Sequence, residues 1–107
     1  MIYADNAATT RISDSVFEKM LPFLREQYGN ASSQYSLGVK AKQAVELARR
    51  QVAGAIGAAT TEIIFTSSGS EANNWLLRSV NESFGDVSKH IITSCIEHHS
   101  VLNACRA

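Results

Sequence analysis

The chain has 107 residues, 45% of them apolar, and its ten basic side chains balance ten acidic ones, for a formal net charge of zero. That length holds one small domain at most, and the neutral balance excludes a broad electrostatic footprint for nucleic acid or an anionic membrane. No apolar run is long enough to cross a bilayer, and the two cysteines, Cys95 and Cys105, have neither the number nor the spacing of a disulfide framework or a CxxC site, so a reduced, cytoplasmic protein is expected.

The opening "MIYADNAATT" carries an acid early and is not a secretory signal. Its turn-forming and β-branched residues show no periodic face, which predicts an extended or irregular arm over residues 1–11. Ser13 or Asp14 can open a helix by accepting from its first free amides, and Val16, Met20 and Leu24 then share one face. Pro22 removes a backbone donor inside that helix, so a kink or break near Leu21 is expected, with Gly29 and Asn30 ending the segment. "NASSQYSLG" reads as a loop. After it, Ala41, Ala44, Val45, Ala48, Val52 and Ile56 form one stripe, with Lys40, Lys42, Glu46, Arg49 and Arg50 mostly off it, and Gly57 suits the C-terminal turn. "EIIFTS" reads as a short buried strand, "SEANNWLLRSVNESFG" as a helix, "KHIITSC" as a second strand, and a further helix begins near Ser100. Strand, helix, strand is the unit of a parallel sheet, so the expected class is α/β. The last residues, "HHSVLNACRA", open a helix that no cap or turn signal closes, as expected of a piece of a longer chain.

In an open parallel sheet, ligands lie where strands give way to helices. "TSSGSEANN" occupies such a junction. The first amides of the following helix lack internal partners and sit at the positive end of its dipole, Gly69 allows close approach to the backbone, and Ser70 adds a hydroxyl donor. Alternatively Ser70 is an ordinary helix N-cap in a turn that binds nothing. Neither GxxxxGK[ST] nor GxGxxG is present, so a single phosphate fits better than a nucleotide. The second junction, "TSCIEHHSV", brings Glu97, His98 and His99 to the same sheet edge; adjacent histidines lack metal-ligand spacing, and a histidine there is either structural or a proton carrier.

The ordered motifs "YADNAATT", "YGNASSQYSLG", "IIFTSSGSEANN" and "HIITSCIEHHSVLNACR" resemble the N-terminal part of a cysteine desulfurase of the NifS/IscS type, within the class V aminotransferase group of pyridoxal-phosphate enzymes, and they span essentially the whole chain. The resemblance implies the N-terminal part of a fold type I PLP-dependent transferase, with a parallel-type sheet and helices. It implies an N-terminal arm and helices over residues 1–57 and the start of the large, cofactor-binding domain over residues 58–107. It implies pyridoxal 5'-phosphate as cofactor, its phosphate held by Gly69 and Ser70, where the family usually has threonine at the latter position. His98 is the residue implied to stack on the cofactor ring and assist proton transfer, with His99 a bystander. Asn6, Ala7, Ala8, Thr9 and Asn30 are implied near the substrate; the first four alternatively form an arm that only packs. Ala31 and Tyr35 stand where the family usually has proline and histidine, so the role of that histidine is not carried over.

The function so implied is removal of sulfur from L-cysteine through a pyridoxal-phosphate aldimine, giving L-alanine and an enzyme persulfide for a sulfur acceptor such as an iron-sulfur scaffold. A homodimer is implied for the complete enzyme. Pyridoxal chemistry needs a lysine for the aldehyde and an acid for the pyridine nitrogen. Lys19, Lys40, Lys42 and Lys89 match no such position, and neither Cys95 nor Cys105 matches the persulfide cysteine, so the chain alone is expected to be inactive. Two other readings remain open: a class V aminotransferase or lyase acting on another amino acid, and a non-catalytic phosphate-binding or interaction module.

Overall fold

A computed structural model describes residues 2–83 and 90–106. The backbone divides into two compact units, Met1–Ile63 and Ile64–Ala107. The first holds α1 (Asp14–Arg25), α2 (Ser36–Ile56) and a 3₁₀ turn at Thr60–Glu62; the second holds α3 (Gly69–Ser83) and α4 (His99–Arg106). Among the described residues no helix is long and apolar enough to cross a membrane.

In the first unit the arm closes on itself. The Asp5 carbonyl accepts from the N–H groups of Ala8 (3.1 Å) and Thr9 (3.4 Å), and the Tyr3 hydroxyl donates to the carbonyls of Asp5 (2.8 Å) and Thr9 (3.1 Å). α1 starts from Ser13, whose carbonyl accepts from Val16 and Phe17, although its side chain makes no capping bond. Of the kink or break expected near Leu21, the break does not occur: the helix runs through Pro22 to Arg25. Proline's fixed φ is itself helical, so its lasting cost is one missing donor. The Pro22 carbonyl then closes the helix one turn later by accepting from Glu26 and Gln27, both at 2.9 Å.

The loop between α1 and α2 is held by two close backbone approaches. A Cβ on Gly29 would lie 2.4 Å from the Leu37 carbonyl oxygen, and one on Gly38 would lie 2.4 Å from that of Ser33 and 2.7 Å from that of Asn30. Of the expected α2 stripe, Ala41 is buried, Ala44 and Ala48 are half-buried, and Val45, Val52 and Ile56 are exposed, while Ala53, outside the stripe, is buried. The buried side of α2 is thus its small-residue side, where backbone can approach. Gly57 ends α2 in the left-handed region (φ 71°), as expected, with Ala58 N–H bonded to the Ala53 carbonyl at 2.9 Å. Beyond it, Glu62 Oε2 accepts from Ala59 N–H (2.7 Å), Ile63 N–H donates to the Thr60 carbonyl (3.3 Å), and the half-buried Arg49 donates to the Ile63 carbonyl and to Glu46.

In the second unit α3 and α4 pack on one another, with Leu77 of α3 and Val101, Leu102 and Cys105 of α4 half-buried. The two runs expected as strands form no ladder: among the described residues there is no β-strand. A strand has no hydrogen-bonding partner of its own and exists only against a neighbour, and these two runs do not pair with each other. Lys89, at the head of the second run, and Phe84 and Gly85, at the expected end of α3, lie outside the described residues.

Candidate functional site

The N-terminus of α3 is built by Ser68 and Glu71. Ser68 is the cap: its Oγ accepts from Glu71 N–H at 3.2 Å and its carbonyl from Ala72 N–H at 3.1 Å. Glu71 reaches back, its Oε2 accepting from Ser67 N–H (2.6 Å) and Ser67 Oγ (2.7 Å). This is the reciprocal arrangement of a capping box shifted one residue outward. The Ser67 hydroxyl, then the Ser67 amide, hold the Glu71 carboxyl below its ordinary value of 4.5.

Because Ser68 caps the helix, Ser70 does not. It sits in the first turn, and among the described residues its hydroxyl has no hydrogen-bond partner, nor do the N–H groups of Gly69 and Ser70 have acceptors. A Cβ placed on Gly69 would meet nothing within 4 Å, so the approach to these donors is open. Two free amides, a free hydroxyl and a helix dipole suit a phosphate. The donor set therefore fits the phosphate of pyridoxal phosphate.

His98 is the N-cap residue of α4. Its carbonyl accepts from Val101 (2.9 Å) and Leu102 (3.2 Å), and its ring Nδ1 accepts from Ser100 N–H at 3.1 Å. The Ser100 hydroxyl lies 2.9 Å from the same Nδ1 and receives a bond from Asn73 Nδ2 of α3 at 3.0 Å. His98 is thus tied to the helix that carries Gly69 and Ser70. The His99 ring stands edge-on to it, centroids 6.2 Å apart.

The other candidate residues belong to the first unit. Asn6, Ala7, Ala8 and Thr9 lie in the exposed turn of the arm, where the Asn6 carbonyl accepts from Thr10 Oγ1 at 3.2 Å. Asn30 closes the loop before α2, its Oδ1 accepting from Ser32 N–H and its carbonyl from Ser33 N–H, both at 2.9 Å. Ala31 lies in that turn, and Tyr35 is the exposed residue before α2. Reading the sequence missed Ser100, Asn73 and Glu71. Ser68-x-x-Glu71 carried a capping-box signal that identifies Glu71, whereas nothing local marks Asn73 and Ser100 as partners 27 residues apart.

A family profile described as aminotransferase class-V matches residues 2–107. The chain is 48% identical over 104 residues to "Cysteine desulfurase IscS" of Methanosarcina thermophila, covering 97% of this chain and 26% of that protein. It is 47% identical over 106 residues to the protein of the same name from Rickettsia prowazekii (strain Madrid E), covering 98% and 26% respectively. A solved structure named "NIFS-LIKE PROTEIN" superposes with a TM-score of 0.87 at 44% identity, over 95% of this chain and 28% of the other. The chain therefore has the fold of the matching part of that protein, and it spans about a quarter of the length of the curated relatives it matches.

Proposed function

The chain belongs to the aminotransferase class-V family, and from that premise we propose that it is the cofactor-phosphate part of a pyridoxal-phosphate-dependent cysteine desulfurase. The observation that carries this reading is the tie between the open N-terminus of α3 and His98 through Asn73 and Ser100. In this reading the Gly69 and Ser70 amides and the Ser70 hydroxyl hold the phosphate, and His98 stands beside the cofactor ring. Bound there, pyridoxal phosphate supplies the electron sink for breaking bonds at the amino-acid carbon. Asn6, Ala7, Ala8, Thr9 and Asn30 are assigned to the substrate region. The lysine for the aldehyde and the acid for the pyridine nitrogen are assigned to parts of the protein outside this chain, because by the family resemblance none of Lys19, Lys40, Lys42 and Lys89 stands at such a position. For the complete protein the proposed substrate is L-cysteine, the products L-alanine and a persulfide, the recipient a sulfur-acceptor protein such as an iron-sulfur scaffold, and the setting a cytoplasmic homodimer.

Binding of pyridoxal phosphate to the chain, measured by equilibrium dialysis, tests this assignment, with inorganic phosphate as competitor. Binding is expected to weaken by about tenfold in Ser70→Ala, the loss of one charge-assisted hydrogen bond, and further in Ser70→Asp. Equal binding by all three chains would sink it. Sulfide release from L-cysteine by the chain, above a pyridoxal-phosphate-only control, is expected to be nil.

A further inference from the structure

We propose that Ser100 and Asn73 are positioning residues that hold neutral His98 in the tautomer with its proton on Nε2, so that the ring meets a ligand as a hydrogen-bond donor. A backbone N–H can only donate, and Ser100 N–H lies 3.1 Å from His98 Nδ1, so that nitrogen presents its lone pair. The second contact runs in the same sense. Asn73 Nδ2 also donates, and it occupies a lone pair of the Ser100 hydroxyl at 3.0 Å, leaving the hydroxyl proton to point at Nδ1, 2.9 Å away. All three donors agree. With the proton on Nδ1 instead, two N–H groups would face one another across 3.1 Å and the Ser100 hydroxyl proton would lose its acceptor. Among the described residues Nε2 has no partner, so the donor end of the ring is the one left for a ligand.

The bearing of this tautomer on the reaction rests on the desulfurase reading, but the tautomer itself does not. Ring-¹⁵N-labelled histidine in the chain, observed by long-range proton–nitrogen correlation at a pH of about 8, above the ordinary histidine pKa of about 6.5, reads it directly; His90→Asn and His99→Asn variants assign the signals. Wild-type His98 is expected to show a pyridine-like Nδ1 and a pyrrole-like Nε2, with the Nε2–H form ahead by about tenfold. Ser100→Thr keeps the hydroxyl and is expected to keep that ratio. Asn73→Asp replaces the donor by a carboxylate that takes the Ser100 proton, which makes the hydroxyl an acceptor toward Nδ1; the ratio is expected to fall by at least about threefold. A proton on Nδ1 in the wild type, or two averaged nitrogens, would overturn the proposal, and an Asn73→Asp ratio equal to wild type would remove Asn73 from it. Pyridoxal-phosphate binding is scored separately: an Nε2–H ring without binding sinks the desulfurase reading alone, and binding with an Nδ1–H ring sinks this inference alone.

Discussion

Glu71 accepts two hydrogen bonds from Ser67 in its charged form, and those bonds are what lower its pKa. A carboxyl whose folded pKa lies below its unfolded one stabilises the fold above the unfolded value, and that contribution disappears as the pH falls through the folded value. Helicity followed by circular dichroism should therefore decline as the chain is acidified from about 4.5 downward. In Glu71→Gln this component should be missing, with the two chains converging in acid. Identical acid profiles would show that the Ser67 bonds contribute nothing. At this scale the sequence was informative where a residue acts on its neighbours. Gly69 and Ser70 were singled out by their place where a helix opens, and in the structure they form the first turn of α3, where among the described residues their amides have no acceptor. Assigning the cap was harder, because Ser67, Ser68 and Ser70, clustered around Gly69, offer equivalent candidates, and only the bond from Glu71 N–H to Ser68 Oγ picks Ser68.

Glycines decide the path between elements. Gly29→Ala or Gly38→Ala would push a methyl group into backbone carbonyls at 2.4 Å, atoms that cannot swing aside as a side-chain end can. Either is expected to cost about 1–3 kcal/mol, the usual range for overpacking, as read by chemical denaturation. Gly54→Ala is the control: it lies in α2 with nothing within 4 Å of the added carbon, and it should be neutral or stabilising by about 0.5–1 kcal/mol. A destabilised Gly54→Ala beside unchanged Gly29→Ala and Gly38→Ala would refute this account of the loop. The helices were legible because their apolar spacing is a local property, and α2 with its Gly57 cap was the clearest case. Two things were not legible. Pro22 reads as a breaker in isolation, yet its carbonyl serves as the last acceptor of α1. "EIIFTS" and "KHIITSC" read as strands because their composition suits a sheet, but a ladder depends on a second chain segment that no local pattern supplies.

For the molecule as a whole, the telling fact is how little apolar surface is covered. Among the described residues only Ala41 and Ala53 are buried apolar side chains, while Ile92 and Ile96 are 88% and 90% exposed and Ile64 is 59% exposed. In the first unit, Val16, Met20, Phe23 and Leu24 of α1 and Leu47 of α2 line an open groove of about 790 Å³. Contiguous exposed apolar surface of this kind drives association. In light scattering after size exclusion, the chain is expected to exceed its monomer mass of 11.6 kDa, increasingly so at higher concentration. A concentration-independent monomer would contradict this.

The end of the first unit also sets how a neighbouring strand can meet it. Ile63 has its N–H engaged by the Thr60 carbonyl and its own carbonyl engaged by Arg49. Its one donor is therefore taken from within the unit, while its carbonyl keeps a second lone pair, so Ile63 can meet a pairing segment as an acceptor but not as a donor.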